Sequence, residues 1–199
     1  MAKLSDRRVQ RTRKLLHDAL MDLMLEKGYE AVTVQDIVDR ANVGRSTFYA
    51  HFTDKKDLLM SGSDQLQALL SQEQITAQAT HGRSSALLLG FGLPMFRHAQ
   101  ANYRLYQAMV AKGGSAIVDD LVGHSLTNLV HDELAALAPS RSTLPVPLEI
   151  VVLYSVSSFM ALLKWWLDHK MPFPAEEMDR MFRALTIPGL TALGFRTKT

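Results

Sequence analysis

Between residues 33 and 55 the chain carries a run of side chains suited to contact with a nucleic acid: Thr33, Arg45, Ser46, Thr47, Tyr49, His51 and Lys55. An arginine offers a planar fork of donors that matches guanine O6 and N7, so Arg45, with Ser46 beside it, is the expected pair for reading base edges. Thr33 can present a hydroxyl together with helix N–H groups to a phosphate, and Thr47 can reach the same backbone. Tyr49 holds a phenolic hydroxyl on a short, stiff arm, and Lys55 is a point charge. His51 suits either a DNA contact or a packing and capping role. Upstream, Arg7, Arg8 and Arg11 form a basic lead that either enters a minor groove or stays a solvated tail.

For these groups to act together, regular elements must hold them. Thr33 and Asp36 have the spacing of a capping box, in which each satisfies an orphan N–H at a helix start. Ile37, Val38 and Ala41 give the helix that follows a small apolar face. Asn42 stands where the chain must turn sharply, and asparagine tolerates the left-handed conformation such a turn needs. After Val43 and Gly44 a second short helix is expected from about Arg45, with Phe48 and Phe52 turned inward. Two helices joined by three or four residues, the second polar and basic, form the geometry that sets a recognition helix in a DNA major groove. A flanking helix over residues 8–27 carries Leu16, Leu20, Leu23 and Met24 at helical spacing and ends at Gly28. Another starts at the N-cap Asp54 and runs through Leu58, Leu59, Leu66, Leu69 and Leu70.

This first third of the chain, to about Leu59, resembles the DNA-binding domain of the TetR family of bacterial transcriptional regulators. The resemblance rests on the basic lead 7–14, on Glu26-Lys27-Gly28-Tyr29 and on Thr33-Val34-x-Asp36-Ile37. It continues through Ala41-x-Val43 and Thr47-Phe48-Tyr49-x-His51-Phe52 to Asp54-Lys55-x-x-Leu58. It implies phosphate contacts by Tyr49 and Lys55. Each also has a plain structural reading: Tyr49 as a cover for Phe48 and Phe52, Lys55 as a solvated charge at a helix start. The chain departs from the family pattern at Gly44, where a capping serine is common. It departs again at Asn42 and Ser46, where glycines are common.

Composition bounds the rest. With 199 residues, 47% hydrophobic and 21% charged, the chain has ordinary globular make-up and a net charge of only +2. Residues 1–14 nevertheless hold six basic side chains against one acidic, so positive charge gathers at the DNA-reading end. The absence of cysteine excludes disulfides, thiolate metal sites and a cysteine nucleophile. Histidines are scattered, and no metal or cofactor motif is present. Asp119, Asp120, Asp132 and Glu133 read as solvated helix charges. No apolar leader is seen, and the longest uncharged run, residues 150–163, is short of a membrane span. A cytoplasmic, non-enzymatic protein with no membrane partner is the expectation.

Beyond residue 60 the pattern is helical: 85–92, 96–111 after a break at Leu93-Pro94, 115–138, 148–170, and 175 to 185 or beyond. Polar loops are expected over 76–84 and 139–147. The whole reads as all-α with about nine helices, a head over 1–60 and a body over 61–199. The resemblance implies that the body binds a small effector and forms a homodimer on a palindromic operator. The effector-site candidates are residues mixing bulk with polarity, His98, Asn102, Tyr106, His124, Asn128 and Trp166, together with the apolar Phe91 and Met109. The nearly all-apolar segment 150–163 and the last helix supply the dimer candidates: Val151, Ser155, Ser158, Leu162, Met178, Met181, Phe182 and Leu185. A helical binding protein without specific DNA contact, or an enzyme, are the competing readings.

Overall fold

The computed structural model describes residues 2–62, 66, 68, 70, 72, 88–138 and 144–195, with side chains from residue 8 onward. Every regular element among them is a helix. In chain order these are α1 (Ala2–Lys27), α2 (Val34–Ala41), α3 (Arg45–Tyr49), α4 (55–62), α5 (Gly92–Ala101), α6 (Tyr103–Ala111), α7 (Ser115–Leu137), α8 (Leu148–Asp168) and α9 (Ala175–Ala192). The expected loop at 76–84 and most of that at 139–147 lie outside the described residues.

Two compact units emerge, and neither is continuous in sequence. The first joins Met1–Asp64 to Arg104–Leu121, and the second joins Gln65–Tyr103 to Val122–Thr199. The first compact unit thus adds α6 and the start of α7 to the residues expected as the head. The reason is apolar. Met109 is buried among Leu16, Leu20, Leu23 and Met24 of α1, Ile37, Val38, Phe48, Phe52 and Leu58, with Leu105, Ile117, Val118 and Leu121 packed on the same cluster. Lys112 adds a hydrogen bond from its ammonium to the Glu26 carbonyl.

Local chemistry sets the corners of this unit. Gly28 takes φ 79° and donates to the Met24 carbonyl at 3.0 Å, closing α1. The capping box forms as spaced: the Thr33 N–H donates to Asp36 Oδ2 at 2.7 Å, and the Asp36 N–H to Thr33 Oγ1 at 3.2 Å. Lys27 at the end of α1 lies 2.8 Å from the same carboxylate oxygen. Together the Lys27 and Thr33 hydrogen bonds hold the Asp36 carboxyl well below the usual carboxylate range. Asn42 caps α2 at φ 52°, ψ 51°, in the left-handed region its side chain tolerates. Asp54 caps α4, accepting from the Asp57 N–H at 2.8 Å.

The second unit is organised by rings. Phe91, Phe96, Phe159, Phe182 and Trp166 form a chain of edge and tilted contacts with centroids 4.9–6.1 Å apart, all fully buried. A polar clamp sits beside them. The Leu89 N–H donates to Glu133 Oε1 at 2.6 Å, and Arg183 Nη1 donates to the Leu88 carbonyl at 2.8 Å. Leu89 is thereby held at φ 56°. Glu133, half-buried on α7, is thus a working acceptor for the turn at Leu89 rather than a solvated charge. Pro94 does not break the chain as its sequence suggests, because it falls in the first turn of α5, where the missing N–H is no loss. The break comes at Asn102, which separates α5 from α6 at φ −104°, ψ 18°.

Two expected outcomes follow from these contacts. A Cβ built on Gly92 would collide with Asp179 Oδ1, of a carboxyl that burial already makes costly to ionise. Gly92→Ala should therefore lower the second unit's stability by about 1–3 kcal/mol, read as a lower thermal midpoint. Asp36, with its depressed folded value, stabilises the head fully above its unfolded value of 3.8 and loses that contribution as pH falls below it. Asp36→Asn should flatten the acid limb of a melting-temperature profile between about pH 5 and pH 2. An unchanged acid limb would assign that sensitivity elsewhere.

Candidate nucleic-acid interface

The face that could meet DNA is built on five residues of helix. In α3, Phe48 is fully buried while Arg45 and Ser46 are exposed. Tyr49 rests its ring edge-on against Phe48, centroids 5.4 Å apart and planes at 84°, yet remains 54% exposed. Its ring thus covers the core while its outer half is open to solvent. Thr47 is half-buried and its N–H donates to the Gly44 carbonyl at 2.9 Å. Gly44 caps α3 with no side-chain hydrogen bond, the capping loss its sequence implies. His51 is half-buried, its ring tilted beside Phe52.

Arg13, a member of the basic lead with no role expected for it individually, secures the far end of α3. Its guanidinium lies 4.5 Å from the centre of the Phe52 ring, and its Nη1 donates to the His51 carbonyl at 3.5 Å. Arg40 grips Glu26 with two bonds of 2.9 and 2.7 Å, tying α2 to α1 and holding the Glu26 carboxyl below its usual range. These partners lie 14 residues apart and share no periodic signal. Only the placement of a basic residue in the last turn of each helix, where its charge suits the dipole, hinted at Lys27 and Arg40.

Three sequence expectations meet a different geometry. The Thr33 hydroxyl and N–H both donate to Asp36, at 2.6 and 2.7 Å, so a carboxylate already takes the hydroxyl assigned to a phosphate. The Lys55 ammonium donates to the carbonyls of Tyr29, Glu30 and Val32 rather than standing solvated at the helix start. The basic lead is helical from Ala2 onward. A helix about 10–12 Å across does not enter a minor groove about 6 Å wide, so Arg8 and Arg11 are presented on the exposed side of α1. The side chain of Arg7 lies outside the described residues.

The effector candidates are divided between the two units. Met109 belongs to the core of the first unit, and Tyr106 lies on α6 of that unit. Phe91 and Trp166 are fully buried within the ring cluster of the second, where Trp166 Nε1 also donates to the Phe173 carbonyl at 2.8 Å. Asn102 donates to the His98 carbonyl at 2.9 Å, one turn back on α5. His124 and Asn128 face outward on α7, 3.4 Å apart. Of the dimer candidates, Val151, Ser155, Met178 and Phe182 are buried in the chain's own core, which leaves them no surface for a partner. Leu185 is 70% exposed, while Ser158, Leu162 and Met181 are partly so. The outward face of α8 instead carries Ile150, Leu153, Tyr154, Ala161 and Trp165.

Comparison with known proteins agrees with this architecture. Residues 16–61 match the model of the bacterial regulatory proteins of the tetR family, and residues 90–187 match a transcriptional regulator C-terminal region. The HTH-type regulator YxbF of Bacillus subtilis is 43% identical over 60 residues, 30% of this chain and 16% of that protein. TcmR of Streptomyces glaucescens is 34% identical over 58 residues, 29% of this chain and 26% of that protein. The chain thus matches less than a third of the length of either relative. A TetR regulator from Streptococcus agalactiae superposes with a TM-score of 0.62 at 23% identity, covering 94% of this chain and 99% of that one. FadR of Thermus thermophilus, solved with lauroyl-CoA, gives 0.56 at 18% identity over 89% and 94%. The two matched regions, the all-helical fold and the helix-turn-helix with its outward Arg45, Ser46 and Tyr49 place the chain in the TetR family of DNA-binding transcriptional regulators, which are not enzymes.

Proposed function

We propose that the protein acts in the cytoplasm as a ligand-responsive repressor, binding a palindromic operator as a homodimer and leaving it when a small, mostly apolar effector binds the second unit. The observation that carries the DNA-reading part is the division of α3: Phe48 fully buried, Arg45 and Ser46 exposed, Tyr49 half open beside them. A side chain that can pair with guanine and a hydroxyl that can reach phosphate then project from the same short, anchored helix.

The dimer reading draws on α8. Over its most apolar eighteen residues the mean hydropathy is 1.6, long and apolar enough by composition to cross a membrane, yet only 44% of that window is buried. The buried side packs within the second unit through Val152, Val156, Phe159 and Leu163. The open side repeats at helical spacing as Ile150, Leu153, Tyr154, Ala161 and Trp165, and α9 adds Leu185. An exposed apolar stripe of this length is what a partner helix covers. A second copy places two recognition helices on successive major grooves, about 34–36 Å apart. The ring cluster supplies the apolar character that an effector site needs. The effector releases DNA only to the extent that it binds the DNA-free arrangement more tightly.

Selection of bound fragments from a randomised duplex pool, followed by sequencing, should enrich a palindrome. Enrichment of an asymmetric half-site, or of nothing, would remove the dimeric operator from this reading. On the selected duplex, Tyr49→Phe should weaken binding by about 0.5–1.5 kcal/mol, the worth of one hydroxyl hydrogen bond. Leu153→Asp with Leu185→Asp should shift the sedimenting mass from twice the 22.2 kDa chain to the single chain; no shift would place the contact on another face.

A further inference from the structure

Glycine is among the weakest helix formers, so a helical glycine asks for a reason, and at Gly62 of α4 the reason is a ring. A Cβ built there would stand 2.6 Å from His17 Nε2, 3.4 Å from its Cδ2 and 3.6 Å from its Cε1. The imidazole carried by α1 thus lies edge-on against the bare backbone of α4, its Nε2 foremost. The contact borders the core of the first unit, where Leu16 and Leu20 of α1 are buried in one cluster with Leu58 and Leu59 of α4. His17 itself is half-buried, and burial works against its charged form. Among the described residues two charges act on the ring, both from α1: Asp18, which favours protonation, and Lys14, which opposes it. These two are paired with each other at 2.8 Å. On α4, Ser61 turns its hydroxyl to the Leu58 carbonyl at 2.7 Å. The charges of Lys55, Lys56 and Asp57 stand in the first turn of that helix, at the other end of its described residues from Gly62.

We propose that His17 and Gly62 form a proton-sensitive joint in the first unit: neutral, the imidazole seats α4 on α1; protonated, it is drawn into water, the seat is lost and DNA binding weakens. The route to DNA runs through the shared core. α3 has five residues and is anchored by Phe48, which lies in the same cluster as Leu58. α4 is one wall of that cluster, so freeing its end makes Phe48, and with it Arg45, Ser46 and Tyr49, harder to hold in place. Burial fixes the sign of the pH dependence. The ring takes up a proton less readily in the folded chain than in the unfolded one. The joint's contribution is therefore whole above the ordinary value of 6.5 and is lost as pH falls below it. Charge alone would act the other way, because a proton gained by a DNA-binding protein strengthens its attraction to phosphate.

The inference rests on the DNA-binding reading above, but part of its test does not. In the full-length protein, the His17 ring protons and the Gly62 amide should be followed by NMR between about pH 8 and pH 5, the range in which histidine titrates. Both should change with one midpoint below 6.5, and the Gly62 change should vanish in His17→Gln. A His17 midpoint at or above 6.5, or a Gly62 amide that ignores it, would overturn the joint whether or not DNA is bound. On the selected duplex at fixed salt, the parent should lose about threefold to tenfold in affinity, relative to His17→Gln, between about pH 7.5 and pH 5.5. Taking that difference removes the titration of His51 and the other histidines, which both proteins share. Gly62→Ala, whose methyl displaces the ring, should bind weakly already at neutral pH and show the shallow profile of His17→Gln. Where that variant does not fold, the parent and His17→Gln decide the matter between them. Equal pH profiles in those two, or a parent that gains on His17→Gln in acid, would overturn the regulatory role. A parent that binds no duplex at any pH would sink the DNA-reading assignment and the DNA-binding half of this proposal, with the shared titration still deciding the joint itself.

Discussion

A helix of five residues has no stability of its own. The first turn costs more in fixed backbone than its one or two hydrogen bonds return, and isolated helices become stable only well beyond a dozen residues. α3 is such a helix, so its existence depends on Phe48 being fully buried. Much of the first unit can be understood as support for that one ring. α1 and α2 wall it with Leu20, Ile37 and Val38, and Phe52 packs at 6.0 Å beside it. Arg13 covers Phe52 and the end of α3. The surface proposed to choose a DNA sequence is small and polar, and what fixes it is a core many times larger than itself.

How much of this was legible in the sequence depends on how far apart the interacting residues lie. The capping box, the left-handed turn at Asn42 and the inward Phe48 are local, and their spacing alone states them. Lys55 and Arg13 are not local. The carbonyls that hold Lys55 lie 23 to 26 residues away, and backbone acceptors carry no side-chain signature to search for. The place of α6 was illegible for a related reason: nothing in its periodicity says which core its Met109 will join. Pro94 was misread because proline stops a helix interior but suits a helix start, and the sequence does not say which turn it occupies.

In the second unit the same limit separates composition from assignment. Aromatic and methionine residues marked the region as apolar, but an apolar residue can line a site, fill a core or face a partner. Phe91 and Trp166 fill the core, and Leu185 faces out. Along α8, single-residue steps of register decide the matter: Val151 and Val152 are buried while Leu153 and Tyr154 are exposed. A segment apolar on every side gives no moment from which to read its orientation. The corner after α8 settles it. There the Met171 N–H reaches back to the Trp166 carbonyl at 2.8 Å, with Lys170 and Met171 both left-handed, and Trp166 Nε1 fastens the Phe173 carbonyl.

The discontinuous make-up of the head bears on how such regulators can be recombined. A chimaera that exchanges DNA specificity by grafting residues 1–60 onto a relative would sever Met109, Leu105 and Ile117 from the core they complete. The exchangeable piece is a contiguous head together with the Arg104–Leu121 insert, two cuts further along the gene. Exchanging this chain's first unit whole therefore needs three junctions rather than one, with the two halves of its core kept matched.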